Sequence, residues 1–180
     1  MPIEIPKDKW PGSIKAITIG GTSAEGGTRT KIITIGGGAT MPYLHFEAPT
    51  SNKPVIAIEI KSRKPEDWSP LLAEVWGETM NDPAQWAKKA EEAGADLIVL
   101  ALTVEDNPED AVKVVKSVLG ATGLPLIVWG PGQAEKDNEL LVPVSEAAKG
   151  EKLVLGICED KNYRTIVATA MANGHLVQAR

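Results

Sequence analysis

The chain has 180 residues, 43% of them hydrophobic and 24% charged, with a formal net charge of −5 and a pI near 5.2. That is enough apolar material for one domain with a real core, and the acidity argues against nucleic acid as the main partner. The one cysteine, Cys158, rules out an internal disulfide and a cysteine-ligated cluster held by this chain alone. No apolar run approaches the ~20 residues of a membrane span, and the first ten residues carry no apolar signal-peptide region, so a cytoplasmic protein without a membrane role is expected.

In chain order, residues 1–12 form an irregular lead-in with Pro2, Pro6 and Pro11. Lys15 to Gly20 and Lys31 to Gly36 are near-copies of one strand, with Ile17 and Ile19, then Ile33 and Ile35, alternating with polar neighbours. The Gly-, Ser- and Thr-rich stretch between them predicts a hairpin with a long loop. A lone hairpin is marginal in water and has to pack on something. The three glycines Gly36 to Gly38 precede Pro42, Tyr43, His45 and Phe46, and mark a geometrically constrained turn into the body.

From Val55 the pattern becomes regular. Strands are predicted at 55–60, 96–102, 124–129, 153–157 and 175–179. A short helix is expected over 71–77. A second starts at Asp82-Pro83, with Trp86, Ala90 and Ala93 on one side, and Gly94 closes it. Asn107-Pro108 opens a third, whose buried stripe is Ala111, Val114, Val115 and Val118. The fourth, about 137–149, contains Pro143 and should be kinked or start late. The fifth carries Tyr163, Ile166, Val167, Ala170 and Met171 at helical spacing and ends at Asn173-Gly174.

Strand starts at Leu97, Leu126, Leu153 and Leu176 recur at the length of a βα unit, which implies parallel strands with right-handed crossovers. Either an open doubly wound sheet or a (β/α) barrel would satisfy this. A floor hairpin favours the barrel. The expected organisation is an N-terminal segment and hairpin over 1–54, covering the floor, and a partial TIM-type (β/α) barrel over 55–180. Only about five strands are counted, whereas such a barrel needs eight. The expectation is therefore a piece of a longer protein, or a partner that closes the edge.

In both architectures ligands gather at the carboxyl ends of the strands. Those ends carry Lys61 and Ser62; Thr103, Glu105 and Asp106; Gly130, Pro131 and Gly132; Cys158, Glu159, Asp160 and Asn162; and Arg180. Every βα loop is polar, so the list alone names no chemistry. The glycine runs match neither a dinucleotide fingerprint nor a phosphate loop. His45 and His175 lack a second ligand at metal spacing. Cys158 reads as a buried, idle thiol, and Trp68, Trp76 and Trp86 as helix–sheet packing.

Gly26-Gly27-Thr28-Arg29, then Ile35-Gly36-Gly37, Ala39, Pro42 and Phe46-Glu47, resemble the start of the small subunit of the corrinoid iron–sulfur protein, a family that includes the delta subunit of the archaeal acetyl-CoA decarbonylase/synthase complex. The resemblance runs on through Asn81 to Lys89, Gly94 to Ile98, Leu124 to Val128, Gln133 to Asp137 and Glu159 to Tyr163. The glycine-rich start points to the bacterial branch. The resemblance implies a TIM-type barrel akin to pterin-binding methyltransferases, in proteins longer than this chain. It also implies a large-subunit partner that carries a [4Fe–4S] cluster and a corrinoid, with the corrinoid (cobalamin) shared between the two subunits and no cluster in this chain. Methyltransferase and acetyl-CoA synthase are implied as transient partners in the Wood–Ljungdahl pathway of one-carbon metabolism. The positions expected near the corrinoid are Thr103, Trp129, Gly130, Gly132, Glu159 and Asn162, with no catalytic residue and no metal ligand among them. Two rival readings are an independent pterin-binding methyltransferase, with Asp160 and Asn162 at the pterin edge, and a purely structural subunit.

Overall fold

The computed structural model describes residues 14–38 and 51–180, so Pro42, Tyr43, His45 and Phe46 lie outside the described residues. The chain divides into two compact units, one of residues 1–18 and 34–55, the other of residues 19–33 and 56–180. Strands β1 (Ile17–Ile19) and β2 (Ile33–Ile35) pair as a two-stranded hairpin. The Thr18 and Thr34 hydroxyls meet across it at 3.0 Å, and the Ile14 amide donates to the Gly38 carbonyl at 2.9 Å. The near-copied sequences thus pair with each other.

The larger unit alternates strand and helix: β3 (Ala57–Lys61), α1 (Pro70–Trp76), α2 (Pro83–Glu92), β4 (Leu97–Ala101), α3 (Pro108–Ala121), β5 (Leu126–Trp129), α4 (Ala134–Ala147), β6 (Val154–Cys158), α5 (Tyr163–Asn173) and β7 (Leu176–Ala179). The five strands β3 to β7 form one parallel sheet in strictly sequential order. The order never reverses, unlike that of a doubly wound sheet. Helix α2 packs on α3, α3 on α4 and α4 on α5. Ile58, Ile60, Ile98, Leu100, Leu126, Val128 and Leu155 face these helices and form the core. Side chains alternate along a strand. Lys61, Ala101, Trp129 and Gly156 are therefore register partners on the other face, one per strand, near its carboxyl end.

Local chemistry sets the helix starts. The Asp82 carboxylate accepts from the Ala84 amide at 2.9 Å with Pro83 behind it, and Asn107 caps the Asp110 amide at 2.9 Å before Pro108. Some buried faces differ from the sequence pattern. In α2, Ala87 joins Trp86 and Ala90 in the core while Ala93 is exposed, because the helix ends there. In α5 only Ile166 and Ala170 are fully buried. Met171 is 77% and Tyr163 42% exposed, at the margins of the stripe. Helix α4 starts at Ala134, earlier than Pro143 suggests, and runs through the proline. One missing backbone bond and a ring clash cost about 3 kcal/mol. Fully burying Leu140, Leu141 and Val144, at about 1.5–3 kcal/mol each, outweighs that.

Trp86 is completely buried, in an edge-on contact with Trp68 (5.3 Å between ring centres) and a tilted one with Trp76 (6.1 Å). Among the described residues its indole N–H has no hydrogen-bond partner. Lys89 bonds the Trp76 carbonyl at 3.1 Å and also reaches that of Val75, which closes the end of α1.

The loop 19–33 lies across the amino-terminal ends of β5 and β6. The Gly20 and Gly21 amides donate to the Lys152 and Glu151 carbonyls at 3.1 and 2.9 Å, and the Thr30 and Lys31 amides to the Gly123 carbonyl at 3.1 and 3.2 Å. Arg29 is buried here beside Glu151, Nε to Oε2 2.8 Å.

At the same end, His175 is buried before β7. Its Nδ1 accepts from the Leu153 amide at 3.2 Å, which leaves Nε2–H to donate to the Ser145 carbonyl at 2.9 Å. Burial holds its pKa below the ordinary 6.5, against the smaller opposing pull of the Ser145 bond and of Glu151. The folded state thus disfavours the imidazolium. The stability contributed by neutral His175 is complete above pH 6.5 and is lost as pH falls through the depressed folded value. The wild type should lose more urea stability between about pH 7.5 and pH 5.5 than a His175→Gln variant does. Parallel losses would show that the histidine does not carry this dependence.

Candidate functional site

The carboxyl ends of β3 to β7 form one rim, built around two buried carboxylates. Asp106, in the loop after β4, is 2% exposed. It accepts from the Arg63 Nε at 2.8 Å and the Thr103 amide at 2.8 Å, and from the Ser62 hydroxyl. Burial works against its charge, but the Ser62, Thr103 and Arg63 donors together hold its pKa below the ordinary range. Asp106 therefore ties the end of β3 to the end of β4 as a stable anion.

Asp137, in the first turn of α4, is also 2% exposed. Its Oδ1 accepts from the Gly132 amide and its Oδ2 from the Asn162 side-chain amide, both at 2.9 Å. Burial pushes this carboxyl above the ordinary range. Its hydrogen bonds from Gly132 and Asn162 oppose that, and nearby Glu159 adds to it. Burial, with the Asp137 charge, likewise pushes the Cys158 thiol up, so Cys158 is a buried, protonated thiol.

The six expected positions fall into two groups. Gly132 and Glu159 line an open cleft of about 490 Å³ with Ala134, Asp160, Lys161 and Arg180. Thr103, Trp129, Gly130 and Asn162 are not among its lining residues. Thr103 serves Asp106 through its amide and, at 3.3 Å, its hydroxyl. Trp129 is half-buried and donates from Nε1 to the Gln178 side chain of β7 at 2.9 Å. Gly130 bonds the Gly156 carbonyl at 2.8 Å. A Cβ on Gly130 would collide with the Asp137 carboxylate. Asn162 is 2% exposed, with both ends of its amide engaged: Oδ1 accepts from the Glu159 amide at 2.7 Å, and Nδ2 also reaches the Ile157 carbonyl at 3.1 Å. Glu159 faces Arg180 at 3.7 Å. Asp137 is not among the strand-end residues, because it lies past the end of its strand, inside a helix. The glycine pair Gly130 and Gly132 beside it was the available signal.

Among the described residues, no group of three or more His, Cys, Asp and Glu side chains could hold a metal ion, and no helix is long and apolar enough to cross a membrane.

The model of the CO dehydrogenase/acetyl-CoA synthase delta subunit family matches residues 17–180. The chain belongs to this family. The delta subunit of the acetyl-CoA decarbonylase/synthase complex from Archaeoglobus fulgidus is 36% identical, over 95% of this chain and 39% of its own length. Subunit delta 1 of that complex from Methanosarcina thermophila is 32% identical over 93% of this chain and 40% of its own. The Methanocaldococcus jannaschii delta subunit is 32% identical over 98% and 45%. This delta-family chain thus spans roughly two fifths of the length of the curated relatives it matches.

Proposed function

We propose that this chain is part of the non-cluster subunit of a corrinoid iron–sulfur protein, and that its rim docks on the corrinoid carried by the partner subunit and keeps water from it. Family membership over residues 17–180 is the observation that carries the reading. The sheet supports a (β/α) barrel as the setting. Right-handed crossovers in sequential order place all the helices on one side, and a sheet that curls on itself would cover the other face.

The rim residues fit an edge of such a group. A corrin ring is fringed with amide side chains, which both donate and accept hydrogen bonds. Around the cleft, Lys161 and Arg180 offer donors, and Glu159 and Asp160 offer acceptors. The cleft's size suits a projecting edge of the ring, not the burial of the whole ring. His175, the one histidine among the described residues, sits at the opposite end of the strands. These residues would thus hold the periphery and leave the metal's own ligands to the partner. The cobalt, when bound, supplies the methyl-carrying chemistry of the Wood–Ljungdahl pathway. The chain's part is to bind, orient and exclude water. Proximity to the corrinoid is proposed for Gly132 and Glu159 through the cleft and for Trp129 through the neighbouring sheet face. Thr103, Gly130 and Asn162 act by shaping the rim.

A double variant, Glu159→Ala with Arg180→Ala, should weaken binding to the corrinoid-carrying subunit by about tenfold, at unchanged melting temperature, because both side chains are exposed. Unchanged binding would remove the rim from the interface. Tight methyl-tetrahydrofolate binding by this chain alone would favour the independent methyltransferase instead.

A further inference from the structure

Asp137 is one of the rim's two buried carboxylates. It is an acid buried without a cation: among the described residues no ion pair reaches it, whereas Asp106 has Arg63. Its partners are neutral donors, the Gly132 and Asn162 amides foremost, and the charge of Glu159 nearby has the same sign. A group that would sit more cheaply as a hydrophobe is placed where four of its neighbours are the residues expected at the rim. Gly130 makes room for it and Gly132 donates to it. Asn162 donates to it and, through the other end of its amide, holds the Glu159 amide. The result is one hydrogen-bonded chain, Gly132 to Asp137 to Asn162 to Glu159. It ties the β5–α4 loop to the β6–α5 loop, and its two ends line the cleft.

We propose that Asp137 is a positioning residue for the rim: its two oxygens hold the β5–α4 and β6–α5 loops in the one arrangement that receives the docked group. The docking part of this inference rests on the function proposed above; the loop arrangement does not. Asp137 touches nothing that docks. It acts through Gly132 and Asn162.

The two oxygens have separable jobs, and an asparagine distinguishes them. In Asp137→Asn the remaining oxygen still accepts from Gly132. The new amide faces the Asn162 amide donor to donor, which forces Asn162 to turn over and present its own NH2 to the Glu159 amide. In Asp137→Ala both links are lost.

The test is amide hydrogen exchange on the full chain, with affinity for the corrinoid-carrying subunit measured alongside. Asp137→Ala should speed exchange at both Gly132 and Glu159 by at least about tenfold. Asp137→Asn should speed it at Glu159 and spare Gly132. The core amides of Leu100 and Val128 should stay within about twofold of wild type in both variants. Affinity for the partner subunit should fall by about tenfold or more in the alanine variant. Unchanged exchange at Gly132 and Glu159, or acceleration that the core amides share equally, overturns the proposal, as does full-strength docking by a variant whose loops are demonstrably freed. If the wild type itself does not bind the corrinoid-carrying subunit, the functional reading fails. The exchange pattern alone then decides the role of Asp137.

Discussion

Replacing Arg29 with alanine should cost about 3–5 kcal/mol of stability, the cost of leaving a buried carboxylate without its partner, and lower Tm by on the order of 10 °C. Arg29 is 3% exposed and uses all five of its N–H groups. Nε meets Glu151 at 2.8 Å, one terminal nitrogen meets the Thr122 and Leu124 carbonyls at 2.6 and 3.1 Å, and the other meets the Leu119 carbonyl and the Thr28 hydroxyl, each at 2.5 Å. The three carbonyls belong to the end of α3 and the approach to β5, while Glu151 leads into β6. One side chain thus fastens the 19–33 loop to two strands. Arg29→Lys should rescue little, since an ammonium has three donors and no planar fork. A double change, Arg29→Met with Glu151→Leu, should be more stable than Arg29→Ala alone, because no unpaired charge is left buried. Urea melts of the three variants check this ordering. A double variant no better than the single one would mean that the carbonyl bonds, not the ion pair, carry the cost.

Gly21→Ala and Gly150→Ala should each destabilise by about 2–5 kcal/mol, because overpacking against backbone leaves nothing flexible to give. A Cβ at Gly21 would run into the Gly150 carbonyl, and one at Gly150 into the Gly26 carbonyl. Gly150 adds a φ of +91°, where alanine is strained. Gly94→Ala is the control. Its φ is +94° but open space surrounds it, so it should lose only about 1 kcal/mol of conformational strain. Equal losses at Gly94 and Gly150 would show that strain alone acts, without the close approach.

These two predictions mark where sequence reading stops. The alternation of strands and helices was legible because periodicity, Asp82-Pro83, Asn107-Pro108 and Asn173-Gly174 are local signals. The Gly-, Ser- and Thr-rich stretch between β1 and β2 was visible, but not what it packs on: its contacts are with Gly150 and Glu151, more than 120 residues away. The rim was legible as a set of loop ends, since strand ends can be counted. Asp137 was not, because a buried acid in the first turn of a helix looks like an ordinary helix-start acid. Only the fold brings it to Asn162. The face of α1 differs from its spacing: Leu72, Val75 and Trp76 fall on one face by helical period, yet Leu72 and Val75 are 45% and 63% exposed while Trp76 is drawn into the tryptophan cluster. Helical spacing does not say which side of a short helix meets the core.

The measurement that tests the central claim most directly is reconstitution with the corrinoid-carrying subunit, followed by the corrinoid's visible absorption and its exposure to solvent-borne quencher. The account predicts a stable complex in which this chain shields the corrinoid, and in which the Glu159→Ala, Arg180→Ala double variant keeps its fold but needs about tenfold more chain to reach the same shielding. A complex that forms with the corrinoid equally exposed with and without this chain would contradict it.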